Sequence, residues 1–189
     1  ILDLFFIKLL IVIITVSLVK MKLIVVGDLH FKNNNIDETD AFESAFFKFV
    51  EEKVVDGIVF LGDILDKHDR ISGEVQSRVV RFFDKIIKMG NEIYIIVGNH
   101  DLRDNNVFLS DTHSLSPFRN WSMTHVIDYP RSFMIGGEKV TMLPFVPKGR
   151  FQEALTHIPG FEDSKYIFCH QEFAGAQMGA KVSEDGDPW

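Results

Sequence analysis

Three short, unbroken apolar runs constrain the fold of this chain more than any other feature. They read LIVVG from Leu23, IVFLG from Ile58 and IYIIVG from Ile93. An apolar run of this length that stops at a glycine is typical of a strand buried on both faces. Two segments with helical spacing of apolar residues separate the runs. This alternation of strand and helix predicts an α/β fold, with a parallel sheet and helices packed on it.

Both helices are predicted from periodicity and from their end signals. The first follows the acidic residues Asp37 and Glu38, which suit a helix N-terminus. The second follows Ser72, a good N-cap, and stops at Gly90. Their apolar faces are Ala41, Phe42, Ala45, Phe46, Phe49 and Val50 in the first helix and Val75, Val79, Phe82, Phe83, Ile86 and Ile87 in the second.

The second half of the chain has a different pattern. The segment RSFMIGGEKVTMLPF predicts two strands joined by a two-residue hairpin turn at Gly136 and Gly137. GRFQEALTHI predicts a short helix, and KYIFCH predicts another buried strand that ends at His170. A chain of 189 residues is long enough for one substantial core. We therefore expect residues 21–189 to form one α/β domain with a mixed second sheet.

Residues 1–20 form a hydrophobic leader unlike the rest of the chain. From Leu4 to Val19 the segment is almost wholly apolar, which is short for a membrane span of about 20 residues. A signal or anchor segment is one interpretation, although no small-residue cleavage pattern follows. We favour a start of translation at Met21, because MKLIVVGDLH begins a core strand at once.

Composition excludes some classes of partner and site. The formal net charge of -7 provides no overall attraction to nucleic acid or to an anionic membrane, so a nucleic acid would need a local basic patch or bound metal. The single cysteine, Cys169, excludes an internal disulfide and fits a reducing compartment. We expect a cytoplasmic protein that does not bind membranes.

Polar side chains follow four of the predicted strands at the point where each strand ends. They are Asp28 and His30, then Asp63 and Asp66, then Asn99, His100 and Asp101, and finally His170. The carboxyl ends of parallel strands meet at one edge of an open α/β sheet, where ligands bind. We therefore expect these side chains to be neighbours despite their separation in sequence.

The chemistry of this set points to divalent metal. Oxygen and nitrogen donors without thiolate suit Mn, Fe or Zn better than a structural zinc site. Two metal ions held together can activate a water and stabilise both oxygens of an in-line displacement at phosphorus. The residues therefore indicate hydrolysis of a phosphate ester.

The ordered motifs GDLH, GDILD, GNHD and FCH resemble the calcineurin-like metallophosphoesterases over nearly all of the chain from Met21. The GNHDLR continuation and the VTMLPFVP segment are most similar to SbcD-type DNA repair nucleases and their phage recombination counterparts. The resemblance implies a four-layer α/β/β/α sandwich with mixed sheets. It also implies two divalent metal ions, Mn first and Fe, Zn or Mg as alternatives.

The resemblance assigns a role to each matching residue. Asp28 and His30 would bind the first metal, Asp63 would bridge, and Asn99 and His170 would bind the second metal. His100 would face the scissile phosphate as a proton donor or charge stabiliser. Asp66 would orient His100, and Asp101 would brace the loop.

The family's final Gly-His-x-His motif is absent after His170, which we interpret as C-terminal truncation that weakens metal binding and activity. The implied function is a DNA exonuclease or endonuclease core, with DNA as substrate, a coiled-coil ATPase subunit as partner and a homodimer as one assembly. A phosphatase or small phosphodiesterase of the same superfamily is the first alternative. A non-catalytic scaffold that binds proteins on this fold is the second.

Overall fold

The frame of the molecule is a five-stranded sheet. The computed structural model describes residues 12–15, 21–66, 71–178 and 181–188. Within those residues the large sheet runs in the order β1-β2-β3-β4-β5, formed by Val12–Thr15, Lys22–Val26, Gly57–Phe60, Ile93–Ile96 and Thr124–Ile127. Neighbours from β2 to β5 are parallel, whereas β1 pairs antiparallel with β2. The carboxyl ends of β2, β3 and β4 therefore meet at one edge.

Two long helices cover one face of this sheet. They are α1, Ile36–Glu51, and α2, Gly73–Lys88. The Ser72 Oγ caps α2 by accepting from the Val75 N–H at 3.2 Å. Phe46, Phe60 and Phe82 are at most 1% exposed and their rings lie 5.4 to 6.4 Å apart, so helices and sheet share a dense aromatic core.

The second sheet packs on the other face. It contains β6, Arg131–Ile135, antiparallel to β7, Glu138–Leu143, which is parallel to β8, Tyr166–Cys169. Gly136 and Gly137 form the β6–β7 turn with φ of 54° and 83°, a conformation that glycine adopts without steric cost. Side chains alternate along the large sheet, so every second one faces this layer, among them Leu23, Val25, Val59, Tyr94 and Ile96.

The fourth layer lies outside the second sheet. The short helix α3, Phe151–Leu155, packs there against Leu143 and Val146. Beyond β8, β9 at Gln177–Met178 and β10 at Lys181–Val182 form a small antiparallel pair. Helices, parallel sheet, mixed sheet and helix thus follow one another, as the four-layer prediction requires. Within the described ranges, no helix is both long and apolar enough to span a bilayer.

Sequence reasoning missed two strands of the large sheet, β1 within the proposed leader and β5. β5 reads THVI, where a threonine and a histidine break the apolar pattern. Its backbone nevertheless pairs with β4 from Thr124 to Ile127 because the adjacent edge supplies the partner groups. Most of the proposed leader, residues 1–11 and 16–20, lies outside the described residues, and its assignment stays a prediction.

Candidate metal centre

Turns at the carboxyl edge of the large sheet bring the predicted site residues together. The His30 N–H donates to the Asp63 carbonyl at 2.9 Å, which ties the turn after β2 to the turn after β3. The His100 N–H, after β4, donates to Asp63 Oδ1 at 2.9 Å. His170 arrives from β8 of the second sheet. Three strands of one sheet and one of the other therefore supply the centre.

Three of these residues adopt a left-handed backbone conformation. The φ angles are 30° at Asp28, 46° at His30 and 49° at Asp63. For residues with a Cβ this conformation costs on the order of 1–2 kcal/mol each. Such strain persists only where the surroundings enforce it and is concentrated at functional sites. The strain here falls on three of the predicted ligands.

Two glycines make the close packing of these turns possible. A Cβ at Gly98 would overlap the main-chain nitrogen and the carboxylate of Asp63. A Cβ at Gly62, where φ is +107°, would lie 2.6 Å from His170 Nδ1. The glycines that precede the acidic and amide residues therefore let β3, β4 and β8 present side chains within a few ångströms of one another.

Asp63 occupies the middle of the cluster. It is 5% exposed, and its Oδ1 accepts the His100 N–H. Its Oδ2 lies 3.7 Å from His30 Nε2 and 3.5 Å from His170 Nε2. One carboxylate oxygen is thus held by the backbone while the other faces two imidazole nitrogens. This is the position expected of a bridging carboxylate.

The His170 ring shows why a cation fits here. Its Nδ1 donates to the Leu61 carbonyl at 2.8 Å, so Nε2 is the nitrogen that can offer a lone pair to a metal. That nitrogen lies 2.9 Å from the carboxamide oxygen of Asn99 and near the Asp63 carboxylate. Three lone-pair atoms that converge on one point repel one another unless a cation lies between them. A backbone carbonyl behind the ring is also the usual support of a metal-binding histidine.

Asp28 completes the group on its open side. Among the residues that the structure describes, Asp28, Asp63 and His170 offer ligand atoms within 4.8 Å of one another. The Asp28 carboxylate is 60% exposed and lies 3.9 Å from His170 Nδ1. The resemblance paired Asp28 with His30. The structure places Asp28 in a cluster with Asp63 and His170, while His30 reaches Asp63 and Asp66, so the sharing of one metal by Asp28 and His30 stays a prediction.

His30 carries a buried nitrogen that needs a partner. Its Nδ1 has no hydrogen-bond partner among the described residues, and the nearest ion-pair contact is the Asp66 carboxylate at 3.5 Å. An orphaned buried polar atom of this kind fits a centre that takes up a further group.

Asp66 contacts His100 through its main-chain carbonyl. The Asp66 main-chain carbonyl accepts from His100 Nδ1 at 3.0 Å, whereas its carboxylate contacts Lys32 Nζ at 3.2 Å. The pair predicted from sequence is therefore brought together, but the contact that the structure shows uses the backbone. The His100 ring lies edge-on to His30 with centroids 5.0 Å apart.

Asp101 braces the loop, as expected. It is 1% exposed, and its carboxylate accepts from the main-chain N–H groups of Gly98, Ile64 and Leu65. Burial raises the pKa of Asp101 to about 7 against the lowering effect of these hydrogen bonds, with a further rise from the neighbouring Asp63 charge. Asp101 thus links the turn after β3 to the turn after β4 and does not face the open side of the centre.

A comparison with protein families identifies this arrangement. The model of the calcineurin-like phosphoesterases matches residues 21–184. The chain belongs to this family. Calcineurin-like phosphoesterases use divalent metals, and the donor set at this edge fits such ions: Asp28, His30, Asp63, Asn99 and His170 would hold them. The roles of individual ligands stay predictions.

Two viral proteins are similar to this calcineurin-like phosphoesterase chain. One, from Invertebrate iridescent virus 6, is 38% identical over 170 residues and its name describes it as a phosphoesterase, 244L. The other, from Invertebrate iridescent virus 3, is 32% identical over 173 residues and carries the same description as 078R. The matches cover 89% and 90% of this chain. They cover 60% and 50% of the relatives, so the chain spans a little over half of their length.

Two clefts of the phosphoesterase fold border predicted site residues. The larger, about 620 Å³, is bordered by Asp28, Asn99 and His170 and extends between the loops that follow β7 and β8. The smaller, about 230 Å³, is bordered by Asp66 on the side of His30 and His100. Cys169 also lines the larger cleft, and burial raises the pKa of its thiol to about 12.

Proposed function

We propose that this chain is the nuclease core of a DNA repair or recombination enzyme, a phosphodiester hydrolase that depends on two divalent metal ions, Mn first. The observation that carries the proposal is that two separate clefts border residues of the site, one at Asp28, Asn99 and His170 and the other at Asp66. A phosphomonoester has one organic substituent and needs one cleft. A phosphodiester has two, and a polynucleotide continues on both sides of the scissile phosphate.

The motifs add a second line of support. GNHDLR and VTMLPFVP are the segments most similar to SbcD-type nucleases. On that resemblance alone, the proposal includes a coiled-coil ATPase partner and a homodimer as one assembly. The acidic net charge implies that DNA contacts depend on local cations and on the metal site.

Bound metal ions would supply Lewis-acid stabilisation of the phosphate and an acidified water. The chain's own residues do the positioning. Asp63 holds the His100 main chain through one oxygen and faces the imidazoles through the other. The Asp66 carbonyl fixes the His100 tautomer, so that Nε2 is the atom that can hold a proton for the leaving oxygen.

The test is hydrolysis by the full-length gene product supplied with Mn²⁺. Linear DNA and bis(p-nitrophenyl) phosphate are expected to be cleaved, and chelation with EDTA is expected to stop the reaction. Activity confined to p-nitrophenyl phosphate or to small cyclic diesters would overturn the nuclease proposal in favour of a phosphatase or small phosphodiesterase.

One substitution separates the roles within the centre. His100→Ala is expected to abolish turnover while Mn²⁺ still binds, as measured by isothermal titration calorimetry. If His100→Ala instead emptied the site of metal, its assignment to the phosphate would be wrong.

A further inference from the structure

The smaller cleft combines an apolar floor with a polar rim. Its floor is formed by Phe31, Leu65 and Val75, each at most 5% exposed. Its rim carries the ammonium of Lys32 and the carboxamide of Asn34. A volume of about 230 Å³ lies just below the range of drug-sized ligand sites, so the cleft suits one compact ring system.

Hydrogen bonds hold the rim in place. The buried Asn35 accepts the Lys32 N–H at 3.1 Å and donates to the His30 carbonyl at 2.9 Å, which fixes the loop directly after a predicted ligand. On the other side, the Ser72 hydroxyl donates to the Asn33 carboxamide at 2.7 Å. The start of α2 and the loop after β2 are thereby joined, so the cleft is a built feature of the fold.

The cleft borders the metal centre through Asp66. Lys32 Nζ donates to Asp66 Oδ1 at 3.2 Å, and the same carboxylate oxygen lies 3.5 Å from His30 Nδ1. The Asp66 carbonyl holds His100, the residue proposed to protonate the leaving oxygen. The cleft therefore lies next to the residue that holds the proposed proton donor.

We propose that the smaller cleft holds the nucleoside on the leaving-oxygen side of the scissile phosphodiester, and that Lys32 contacts an oxygen of the scissile phosphate itself. A nucleobase has apolar faces, which match the floor, and hydrogen-bonding edges, which match the carboxamides of the rim. An ammonium carries three N–H donors, so Lys32 can contact Asp66 and a phosphate oxygen at the same time. This inference rests on the proposed function, because it presupposes a diester substrate.

The first experiment measures binding without turnover. Thymidylyl-(3′→5′)-thymidine is titrated into the metal-free ¹⁵N-labelled protein, and amide chemical shifts are followed by NMR. The expected shifts concentrate at the loop 31–35 and at the start of α2. Shifts confined to the larger cleft, or no saturable binding at all, would overturn the assignment.

Substitution of Lys32 tests its role. Lys32→Met is expected to weaken dinucleotide binding about tenfold, since a charge-assisted hydrogen bond to phosphate is lost. Lys32→Arg is expected to restore most of the affinity. Lys88→Met removes a lysine at the far end of α2, where it pairs with Asp84, and is expected to leave affinity unchanged. Equal effects of Lys32→Met and Lys88→Met would contradict a specific phosphate contact.

Kinetics distinguish this inference from the proposed function. With Mn²⁺ bound, Lys32→Met is expected to raise KM for the dinucleotide about tenfold with a smaller change in kcat. An unchanged KM in an active enzyme would overturn the Lys32 assignment and leave the nuclease proposal intact. Saturable binding at the smaller cleft in a wild-type protein that cleaves no phosphodiester would overturn the nuclease proposal and leave a nucleotide-binding cleft.

Discussion

Between Ile58 and Asp63 the chain passes from the interior of the large sheet to its carboxyl edge, and the two regions differ in polarity and backbone conformation. Ile58, Val59 and Phe60 are fully buried, extended and apolar, and they stabilise the two inner layers by their packing. Asp63 is almost as buried, at 5% exposed, yet it is charged, has a positive φ and faces two imidazoles. The sheet interior lowers the free energy of the fold, whereas the carboxyl edge holds groups that destabilise it. We therefore expect substitutions in the interior to change the free energy of unfolding and substitutions at the carboxyl edge to change metal binding.

The largest expected effect comes from the aromatic core between α2 and the large sheet. Phe82→Ala removes a 1%-exposed ring that contacts Phe46 and Phe60, and is expected to lower the free energy of unfolding by about 3–5 kcal/mol. Metal affinity of the protein that remains folded is expected to stay within twofold of wild type. Urea denaturation and Mn²⁺ titration measure the two quantities. Met134→Ala, at a 69% exposed position on β6, is the control and is expected to change stability by less than about 0.5 kcal/mol.

The second effect belongs to the carboxyl edge. Asp63→Asn keeps an oxygen for the His100 N–H but removes the charge from the middle of the cluster. Mn²⁺ affinity is expected to fall at least about a hundredfold. Mutation of a residue that only supports a metal ligand lowers affinity by about 10- to 100-fold, and loss of a ligand should cost more. Stability of the metal-free protein is expected to hold or rise, because a buried charge is removed. A large loss of metal-free stability would contradict the separation of the two regions.

Asp56→Asn is the matched control for that substitution. Asp56 accepts the Lys22 N–H at 2.7 Å at the opposite end of the same sheet. The same chemical change there is expected to leave Mn²⁺ affinity unaltered.

A third prediction concerns a buried ion pair beneath the edge. Burial acts to raise the pKa of Asp128, but the hydrogen bond from His113 and the contact with Arg119 outweigh it and hold that pKa below its usual range. The unfolded carboxyl has a pKa near 3.9, so this contribution is fully present above about pH 4 and is lost as pH falls through the lower folded value. Stability is therefore expected to drop below about pH 4.

Arg119→Leu tests the origin of that acid dependence. Arg119 is 32% exposed, so solvent screens its interaction and the expected loss at pH 7 is on the order of 1 kcal/mol. The slope of stability against pH below about pH 4 should become shallower in the variant. An unchanged slope, measured by urea denaturation at several pH values, would show that Arg119 does not cause the acid dependence and that His113 and Arg131 suffice.

The two regions also differ in how far the sequence predicts them. Buried strands need unbroken apolar runs, so β2, β3 and β4 were predictable, as were the glycines and polar residues at their ends. The sequence predicted that Asp66 and His100 are partners but not which atoms meet, because a main-chain carbonyl leaves no trace in the type of side chain. The smaller cleft was not predicted either, because it forms only where the fold brings the loop after β2 next to the start of α2.

The buried pair of His113 and Asp128 gave no signal in the sequence. The two residues are 15 positions apart and lie on different segments, and only the fold brings His113 Nε2 within 3.1 Å of the carboxylate. The Leu115 N–H completes the pair by donating to His113 Nδ1 at 3.2 Å. Contacts set by tertiary packing have no fixed spacing, so periodicity cannot reveal them.

The smallest expected effect falls on Ser72, which contributes both to the stability of α2 and to the rim of the smaller cleft. Ser72 caps α2 through the Val75 N–H and also donates to Asn33 at the rim of the smaller cleft. Ser72→Ala is expected to cost about 1 kcal/mol of stability through the lost cap. Ser77→Ala, on the same helix, removes a hydroxyl that contacts only the Gly73 carbonyl among the described hydrogen bonds, and is expected to change stability by less than about 0.5 kcal/mol.

If the rim depends on the Asn33 contact, Ser72→Ala should also weaken dinucleotide binding while Ser77→Ala does not. Equal binding in both variants would show that Asn35 holds the rim without help from the helix.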